Sequence, residues 1–171
     1  MQGQPISLPP LPEGATDPAF GEFYDHWRRS APPGLLPGRQ HIDPVTQIPR
    51  LVPNLAIYEV VMTEEGRRFR TRLMGELMVN VIGSNPTGHF FDEFIKPEFR
   101  ARLNTSLSRV ATERIAHYWE NQMWTYQNDF IWMRRLALPL ASDGREVDMI
   151  IACYVRSDDR ASGEDGPRPF Y

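Results

Sequence analysis

The stretch LAIYEVVMTEEGRRFRTRLMG, residues 55–75, contains two strand-like runs joined by a short turn. The first run, residues 55–62, is rich in β-branched and aromatic residues, which favour extended structure. A Glu-Glu-Gly turn follows, and residues 67–74 then alternate arginines with apolar or hydroxyl side chains. Because neighbouring side chains of a strand point to opposite faces, this alternation predicts one arginine face and one buried face. The stretch therefore predicts a β-hairpin.

The segments after the hairpin are first helical and then extended again. A helical patch at 77–82 and a turn at 89–95 precede a longer helix that opens at Pro97. Three antiparallel strands complete the pattern, and we expect them at residues 114–123, 129–140 and 146–155. Strands grouped apart from helices indicate an α+β fold rather than a parallel βαβ sheet.

Upstream of the hairpin, an aromatic stripe predicts one more helix. Asp17 and Pro18 offer an N-cap followed by a first-turn proline. Four aromatic residues then recur at i, i+3, i+4 and i+7, which is the spacing of one helix face: Phe20, Phe23, Tyr24 and Trp27.

The two ends of the chain are expected to lie outside the folded domain. Residues 1–15 are Pro-rich with little to bury and are predicted to be disordered, and residues 157–171 are predicted to form a flexible tail. We expect a single domain at residues 16–156, with the helix at its start as an extension.

Composition excludes several classes of protein. The 171 residues include 41% hydrophobic side chains, enough for a real core, and a net charge of −3. Proteins that bind nucleic acids or anionic membranes usually carry a patch of positive charge, and a net negative charge does not indicate one. A single cysteine, Cys153, rules out an internal disulfide, and the N-terminus carries no signal-peptide pattern, so we expect a cytoplasmic protein.

Six motifs occur in a particular order along the chain. They are FYDHW (23–27), LPGRQHIDP (36–44), IPRLVPNLAIYEV (48–60), FRTRLMG (69–75), IGSNPTG (82–88) and LPLASDG (138–144). In this order and spacing they resemble the stand-alone alphaproteobacterial PAS-domain family. One position departs from that family's pattern, because Glu76 follows Gly75 where a small hydroxyl residue is usual.

The resemblance implies a PAS fold: a five-stranded antiparallel sheet with a helical crossover, here with an added N-terminal helix. It also implies a non-enzymatic sensor or adaptor that binds a small ligand, a signalling partner protein, or both. PAS domains often dimerise through N-terminal extensions, so a homodimer through Phe20, Phe23, Tyr24 and Trp27 is one prediction. Packing of these four side chains on their own sheet is the alternative.

Cofactor and catalytic chemistry are not supported by the residues. Haem-binding PAS domains commonly take an axial histidine from the long helix, and none occurs in residues 97–113. Flavin photosensors of this fold need a cysteine in the crossover, whereas Cys153 falls in the predicted last strand. The four histidines show no metal-ligand spacing. We therefore predict no cofactor, no metal and no catalytic residue.

A PAS pocket lies between the concave face of the sheet and the crossover. The residues predicted to line it are apolar or aromatic with two polar members: Phe69, Thr71, Leu73, Met78, Ile82, Phe91, Phe94, Trp119, Trp132 and Arg135. Close packing of the same residues into a ligand-free core is the alternative. A separate hypothesis is that Asp43 and Arg72 form a structural ion pair. The alternative is that the arginines of this strand form a solvent-exposed face.

Two other functions stay open from the residues. A small α+β cone enzyme of the ketosteroid-isomerase kind has a similar length and an apolar pocket, although it needs an acid or base inside that pocket. A ligand-free interaction module is the other. A carboxylate or histidine deep in the cavity would support the cone-enzyme alternative.

Overall fold

The computed structural model describes residues 3–157, so most of the expected C-terminal tail, 158–171, lies outside the described residues. The α-helices are α1 (Pro18–Arg29), α2 (Pro44–Gln47), α3 (Glu76–Ile82) and α4 (Pro97–Glu113). Short 3-10 helices occur at Arg39–His41, Pro49–Asn54 and Phe91–Phe94. The strands are β1 (Leu55–Thr63), β2 (Gly66–Met74), β3 (His117–Trp124), β4 (Phe130–Leu140) and β5 (Met149–Ser157).

The five strands form one sheet in the order β2-β1-β5-β4-β3, and every neighbouring pair is antiparallel. The last strand of the chain therefore lies in the middle of the sheet, between the first strand and the fourth. The helical crossover, which contains α3, the Phe91–Phe94 turn and α4, connects edge strand β2 to edge strand β3. The predicted α+β fold with a five-stranded antiparallel sheet is confirmed.

Alternate residues of each strand belong to two different apolar clusters, one on each side of the sheet. On β4, Leu136 and Leu138 belong to the cluster beneath α1, whereas Met133 and Ala137 belong to the cluster beneath α3 and α4. We call the side of the sheet that α1 covers the outer face and the side that the crossover covers the inner face. The period of two in each strand is what divides the residues between them.

The aromatic stripe of α1 packs on the outer face of its own sheet. Asp17 caps the helix by accepting a 2.9 Å hydrogen bond from the Ala19 N–H. Phe20, Phe23 and Trp27 are fully buried, and the Trp27 indole N–H donates to the Pro139 carbonyl at 2.9 Å. These three side chains are therefore covered within the chain, which corrects the residue set predicted for a dimer.

Tyr24, the fourth member of the stripe, is half-buried, and its hydroxyl donates to the Pro9 carbonyl at 2.8 Å. It thus contacts the N-terminal segment of its own chain. The stripe follows the alternative expectation of intramolecular packing.

The N-terminal segment lies against the domain, in contrast to the disordered tail predicted for residues 1–15. Ile6, Leu8 and Leu11 pack on the outer-face cluster. The Ile6 N–H donates to the Gly34 carbonyl at 2.8 Å, and the Arg145 guanidinium donates to the carbonyls of residues 3 and 4. Proline-rich composition concealed a short row of apolar side chains that finds its partners far away in sequence.

A β-bulge in β2 changes the predicted faces of that strand. Ile57 pairs with Leu73 and Tyr58 pairs with Thr71, so Arg72 has no opposite residue. The extra residue turns Leu73 outward, where it is 36% exposed, and turns Met74 inward. The strict alternation inferred from the sequence therefore holds for Phe69 and Thr71 and fails beyond them.

The proposed ion pair between Asp43 and Arg72 is wrong. Arg72 Nη1 lies 3.8 Å from Glu59 Oε2 on the neighbouring strand. The Asp43 carboxylate instead caps α2, where it accepts a 3.2 Å hydrogen bond from the Thr46 N–H. An Asp-Pro pair is a strong N-cap signal in its own right, and that local role is the one the structure shows.

Within residues 3–157, no helix combines the length and the apolar character that crossing a bilayer requires.

Candidate ligand-binding site

A cavity of about 270 Å³ lies between the inner face of the sheet and the crossover. Its volume is close to the lower end of the range for small-molecule sites. Three parts of the chain enclose it: the 3-10 turn with α4 on one side, strands β3 to β5 on the other, and the β3–β4 turn at one end. Helices that cross a curved sheet leave such a space where the side chains between them do not meet.

The wall on the crossover side is apolar and largely aromatic. Phe91 and Phe94 come from the 3-10 turn, and Phe99 and Leu103 come from the first half of α4. The second half of the same helix face, with Leu107 and Val110, packs into the inner-face cluster with no exposed surface. The apolar stripe of α4 therefore changes from cavity wall to core along its length.

Polar groups enter from the sheet side along one row of neighbouring strands. Arg135 on β4 lies opposite Trp119 on β3 and opposite Tyr154 on β5, and all three line the cavity. The Arg135 guanidinium carbon is 5.9 Å from the centre of the Trp119 ring. This row carries the convergent polar groups that ligand sites place among apolar walls.

Arg135 is 3% exposed, and its hydrogen-bond partners are a serine hydroxyl and a histidine ring, with no carboxylate among them. Its Nη2 atom donates to Ser106 Oγ on α4 at 3.0 Å and lies 3.4 Å from His117 Nδ1. Its Nε atom is buried and has no hydrogen-bond partner among residues 3–157. The cavity therefore has a desolvated positive charge at its deep end.

Two tyrosines extend the polar row toward β1. The hydroxyls of Tyr58 and Tyr154 are 2.6 Å apart, and both side chains are buried. Burial raises the pKa of Tyr58 well above its usual 10, and the neighbouring Tyr154 raises it further. The Tyr58 phenol is therefore neutral at physiological pH and supplies no counter-charge to the arginine.

The mouth of the cavity is formed by the β3–β4 turn and the start of α4. Trp124 and Tyr126 are exposed by 41% and 60%, and Lys96 Nζ lies 4.3 Å from the centre of the Trp124 ring. The Tyr126 N–H donates to the Val81 carbonyl at 3.0 Å, which ties the turn to the end of α3.

Gly83, the C-cap of α3, makes that contact possible. Its φ of +81° is in the left-handed region. A Cβ at this position would overlap the Tyr126 ring. Glycine is thus required both by the helix end and by the close approach of the turn.

The structure places the predicted pocket residues in two groups. Those that line the cavity are Ile82, Phe91, Phe94, Trp119 and Arg135. Phe69 and Met78 are buried in the inner-face cluster instead, and Thr71 is fully buried with no hydrogen-bond partner for its hydroxyl among residues 3–157. Leu73 is turned outward by the bulge. Trp132 is half-buried and has the strand parity of Arg134, which directs it to the outer face.

Other lining residues were not predicted from the sequence. Ser106 and Tyr154 complete the polar row, and Lys96, Trp124 and Tyr126 form the mouth. Tyr154 could have been found from the alternation Ile150, Ala152, Tyr154 along β5. The mouth residues carry no such signal, because a turn has no periodic pattern.

No carboxylate and no histidine line the cavity. Across residues 3–157, no group of three or more His, Cys, Asp or Glu side chains is arranged to hold a metal ion. Cys153 is fully buried on the outer face, and burial raises the pKa of its thiol to about 12, so it is a thiol rather than a nucleophilic thiolate.

Comparison with known proteins gives a family match. The family model described as a PAS domain matches residues 15–155. No curated protein matches the sequence.

Several solved structures are similar to the chain. The PAS domain of BvgS from Bordetella pertussis is 20% identical, with a TM-score of 0.49, over 64% of this chain and 80% of that one. The PAS-B domain of Cycle from Drosophila melanogaster, with bound glycerol, is 18% identical, with a TM-score of 0.45, over 60% and 98%. A PAS domain from Colwellia psychrerythraea is 12% identical, with a TM-score of 0.46, over 69% and 100%.

Proposed function

The chain belongs to the PAS domain family, and we propose that it is a non-enzymatic sensor that binds a small molecule in its inner-face cavity and signals through a partner protein. The observation that carries the proposal is the cavity itself. It is about 270 Å³ in volume, and aromatic walls surround a buried guanidinium. A space that served packing alone would be filled by side chains, because protein interiors are close-packed.

The position of the cavity supports signalling through a partner. Its walls come from the crossover and from the β3–β4 turn. Around that turn, Trp124 and Tyr126 are exposed at the surface. A ligand that binds one arrangement of these elements better than another shifts the population toward it. A partner that contacts the same exposed elements then detects the shift.

The cone-enzyme alternative has little support. Two strands precede the crossover, whereas such enzymes usually place most helices before the sheet. The lining also lacks the carboxylate or histidine that would take up a proton. His117 is buried beside Arg135 but is not among the lining residues.

Native mass spectrometry of the full chain, purified from its own host, tests ligand retention. We expect a second population that is heavier than the bare chain by the mass of one small molecule. Leu103→Trp places a larger side chain in the cavity wall on α4 and should remove that population. Thr105→Trp introduces a tryptophan at an exposed position of the same helix and should retain the heavier population.

Two results would count against the proposal. One is a wild-type spectrum with the bare chain alone. The other is an equal amount of bound mass in Leu103→Trp and in the wild type, which would place the molecule outside the cavity.

A further inference from the structure

We propose that the ligand is a small aromatic carboxylate, whose carboxylate pairs with Arg135 at the deep end of the cavity. The inference rests on the proposed function, since it specifies the chemistry of the molecule that the cavity takes. Its starting point is that the most buried arginine of residues 3–157 has no carboxylate among its partners.

Two other partly buried arginines show how a carboxylate can satisfy such a charge in this chain. Arg134, the adjacent residue on β4, lies 3.0 Å from Asp17 Oδ2. Arg68 on β2 lies 2.7 Å from Asp92 Oδ1 and also contacts that carboxylate through Nε. Arg135 is more buried than either and contacts a hydroxyl and an imidazole.

A buried cation without a carboxylate partner is costly. An arginine does not lose its proton in a protein, so it cannot escape the desolvation cost by becoming neutral. The nearby Tyr58 is a neutral phenol because burial raises its pKa. An anion from outside the chain would therefore gain more here than at any paired arginine, because it supplies the missing charge.

The geometry selects a planar carboxylate. The unpartnered Arg135 Nε belongs to a rigid fork of donors, which matches the two oxygens of a carboxylate. One guanidinium at the deep end accommodates one negative charge. Lys96, the other cation that lines the cavity, is at the mouth against the Trp124 ring.

The walls select the rest of the molecule. Phe91, Phe94 and Phe99 face the strand side, where Trp119 lies beside the guanidinium. Aromatic walls favour a flat ring system, which can stack on or pack edge-on against them. An apolar protein cavity of about 150 Å³ is known to hold benzene, so a cavity of about 270 Å³ suits one or two fused rings.

A matched pair of probes tests the inference on the full chain. 2-Naphthoate and 2-naphthamide have nearly the same shape and differ in charge. By isothermal titration calorimetry at pH 7.5, we expect the wild type to bind the acid roughly tenfold to a hundredfold more tightly than the amide, which is the range for a hydrogen-bonded charge pair.

Two substitutions locate that preference. Arg135→Met keeps an unbranched apolar stem and removes the charge, so the acid and the amide should bind equally. Arg134→Met removes the neighbouring arginine on the outer face and should leave the preference unchanged. Arg135→Lys, which keeps the charge and loses the fork, should retain part of it.

A melting curve separates a binding role from a structural one. Removal of a buried charge that lacks an ionic partner should leave the melting temperature of unliganded Arg135→Met equal to or above that of the wild type. A structural role for the guanidinium predicts a lower melting temperature. If Arg135→Met does not fold, that structural role is established and the inference is wrong.

The outcomes distinguish this inference from the proposed function. If the amide binds the wild type as tightly as the acid, and Leu103→Trp abolishes both, the cavity is a ligand site and the carboxylate inference falls. If the preference for the acid persists in Arg135→Met, the carboxylate inference also falls, because Arg135 is then not the cause of the preference. If neither probe binds the wild type while native mass spectrometry shows a retained small molecule, the carboxylate inference falls and the proposed function stands. If no small molecule is retained either, both conclusions fall.

Discussion

The outer and inner faces of the sheet are made from alternate residues of the same strands, and they differ in what covers them. On the outer face, α1 and the N-terminal segment bury three large aromatic side chains completely, and Arg134 has a carboxylate partner. On the inner face, the crossover leaves a cavity, and Arg135 has no carboxylate partner. Because these two arginines are consecutive in sequence, the difference arises from the covering layers rather than from the strands.

This comparison separates residues expected to act in stability from residues expected to act in the proposed ligand binding. The outer face is closed, so its residues should contribute mainly to the free energy of unfolding. The inner face is incomplete, so its cavity residues should matter more for ligand affinity. Substitutions on the two faces can break or sharpen this division.

The largest expected effect comes from tryptophans on opposite faces. Trp27→Ala removes a fully buried side chain together with its hydrogen bond to the Pro139 carbonyl, and it should lower the free energy of unfolding by about 4 kcal/mol. Trp119→Ala removes a half-buried ring that already borders a cavity, so its cost should be less than half of that. Urea unfolding followed by circular dichroism measures both. Equal losses would contradict the division between the faces.

The next effect concerns the ion pair that attaches the crossover to β2. Asp92 is buried and accepts two hydrogen bonds from Arg68 and one from Asn104. Asp92→Asn should cost about 2 kcal/mol, somewhat less than a fully buried pair, because the Arg68 side chain is 23% exposed. Glu93→Gln, an exposed neighbour at 3.4 Å from the same arginine, is the matched control and should cost little.

The same pair predicts a pH dependence. The Arg68 hydrogen bond lowers the pKa of the Asp92 carboxyl below its ordinary 3.8. A lowered pKa in the folded state means that the contribution of Asp92 to stability is complete above pH 4 and is lost as the pH falls toward the folded-state pKa. Between pH 5 and pH 2, wild-type stability should therefore fall more steeply than that of Asp92→Asn. Parallel curves would show that Asp92 is not held as a carboxylate.

A smaller effect distinguishes two Asp-Pro helix caps. Asp17 caps α1 and also pairs with Arg134 at 3.0 Å, so Asp17→Ala should cost about 1 to 2 kcal/mol. Asp43 caps the single turn of α2, and asparagine caps as well as aspartate. Asp43→Asn should therefore leave the melting temperature unchanged. A drop comparable with that of Asp17→Ala would point to an ionic role that the structure does not show.

The smallest expected effect is a lack of thiol labelling. Cys153 on the outer face is fully buried, with a pKa of about 12, so methyl methanethiosulfonate at pH 8 should leave the native chain unmodified. Ser106→Cys places a thiol in the cavity wall and should be labelled once, as intact mass spectrometry with peptide mapping would show. Labelling of Cys153 in the native chain would mean that the outer face opens.

Local sequence patterns predicted the helices and strands well, and α1 illustrates both why they succeed and where they stop. The Asp-Pro start and the aromatic spacing define a helix with one apolar face, whatever that face meets. Whether it meets the sheet or a second copy depends on contacts such as that of Trp27 with Pro139, 112 residues apart in sequence. Short-range patterns carry no information on that choice.

The cavity was predictable where a periodic element forms it and unpredictable where one residue shifts the register. The apolar spacing of α4 identifies Phe99 and Leu103, although not that these two border a cavity while Leu107 does not. In β2, the bulge at Arg72 reverses the orientation of Leu73. A single inserted residue costs little locally and leaves no compositional sign, so the strand pattern misleads from that point onward.

The contact between Gly83 and Tyr126 separates two properties of the cavity. A larger residue at position 83 would push the Tyr126 ring away from the end of α3 and widen the entrance, while the guanidinium and the aromatic walls stayed in place. Under the proposed function, the deep residues would determine which molecule binds, and the rim would determine how long it stays bound. A substitution at the rim would then change the duration of a signal and leave the identity of the ligand unchanged.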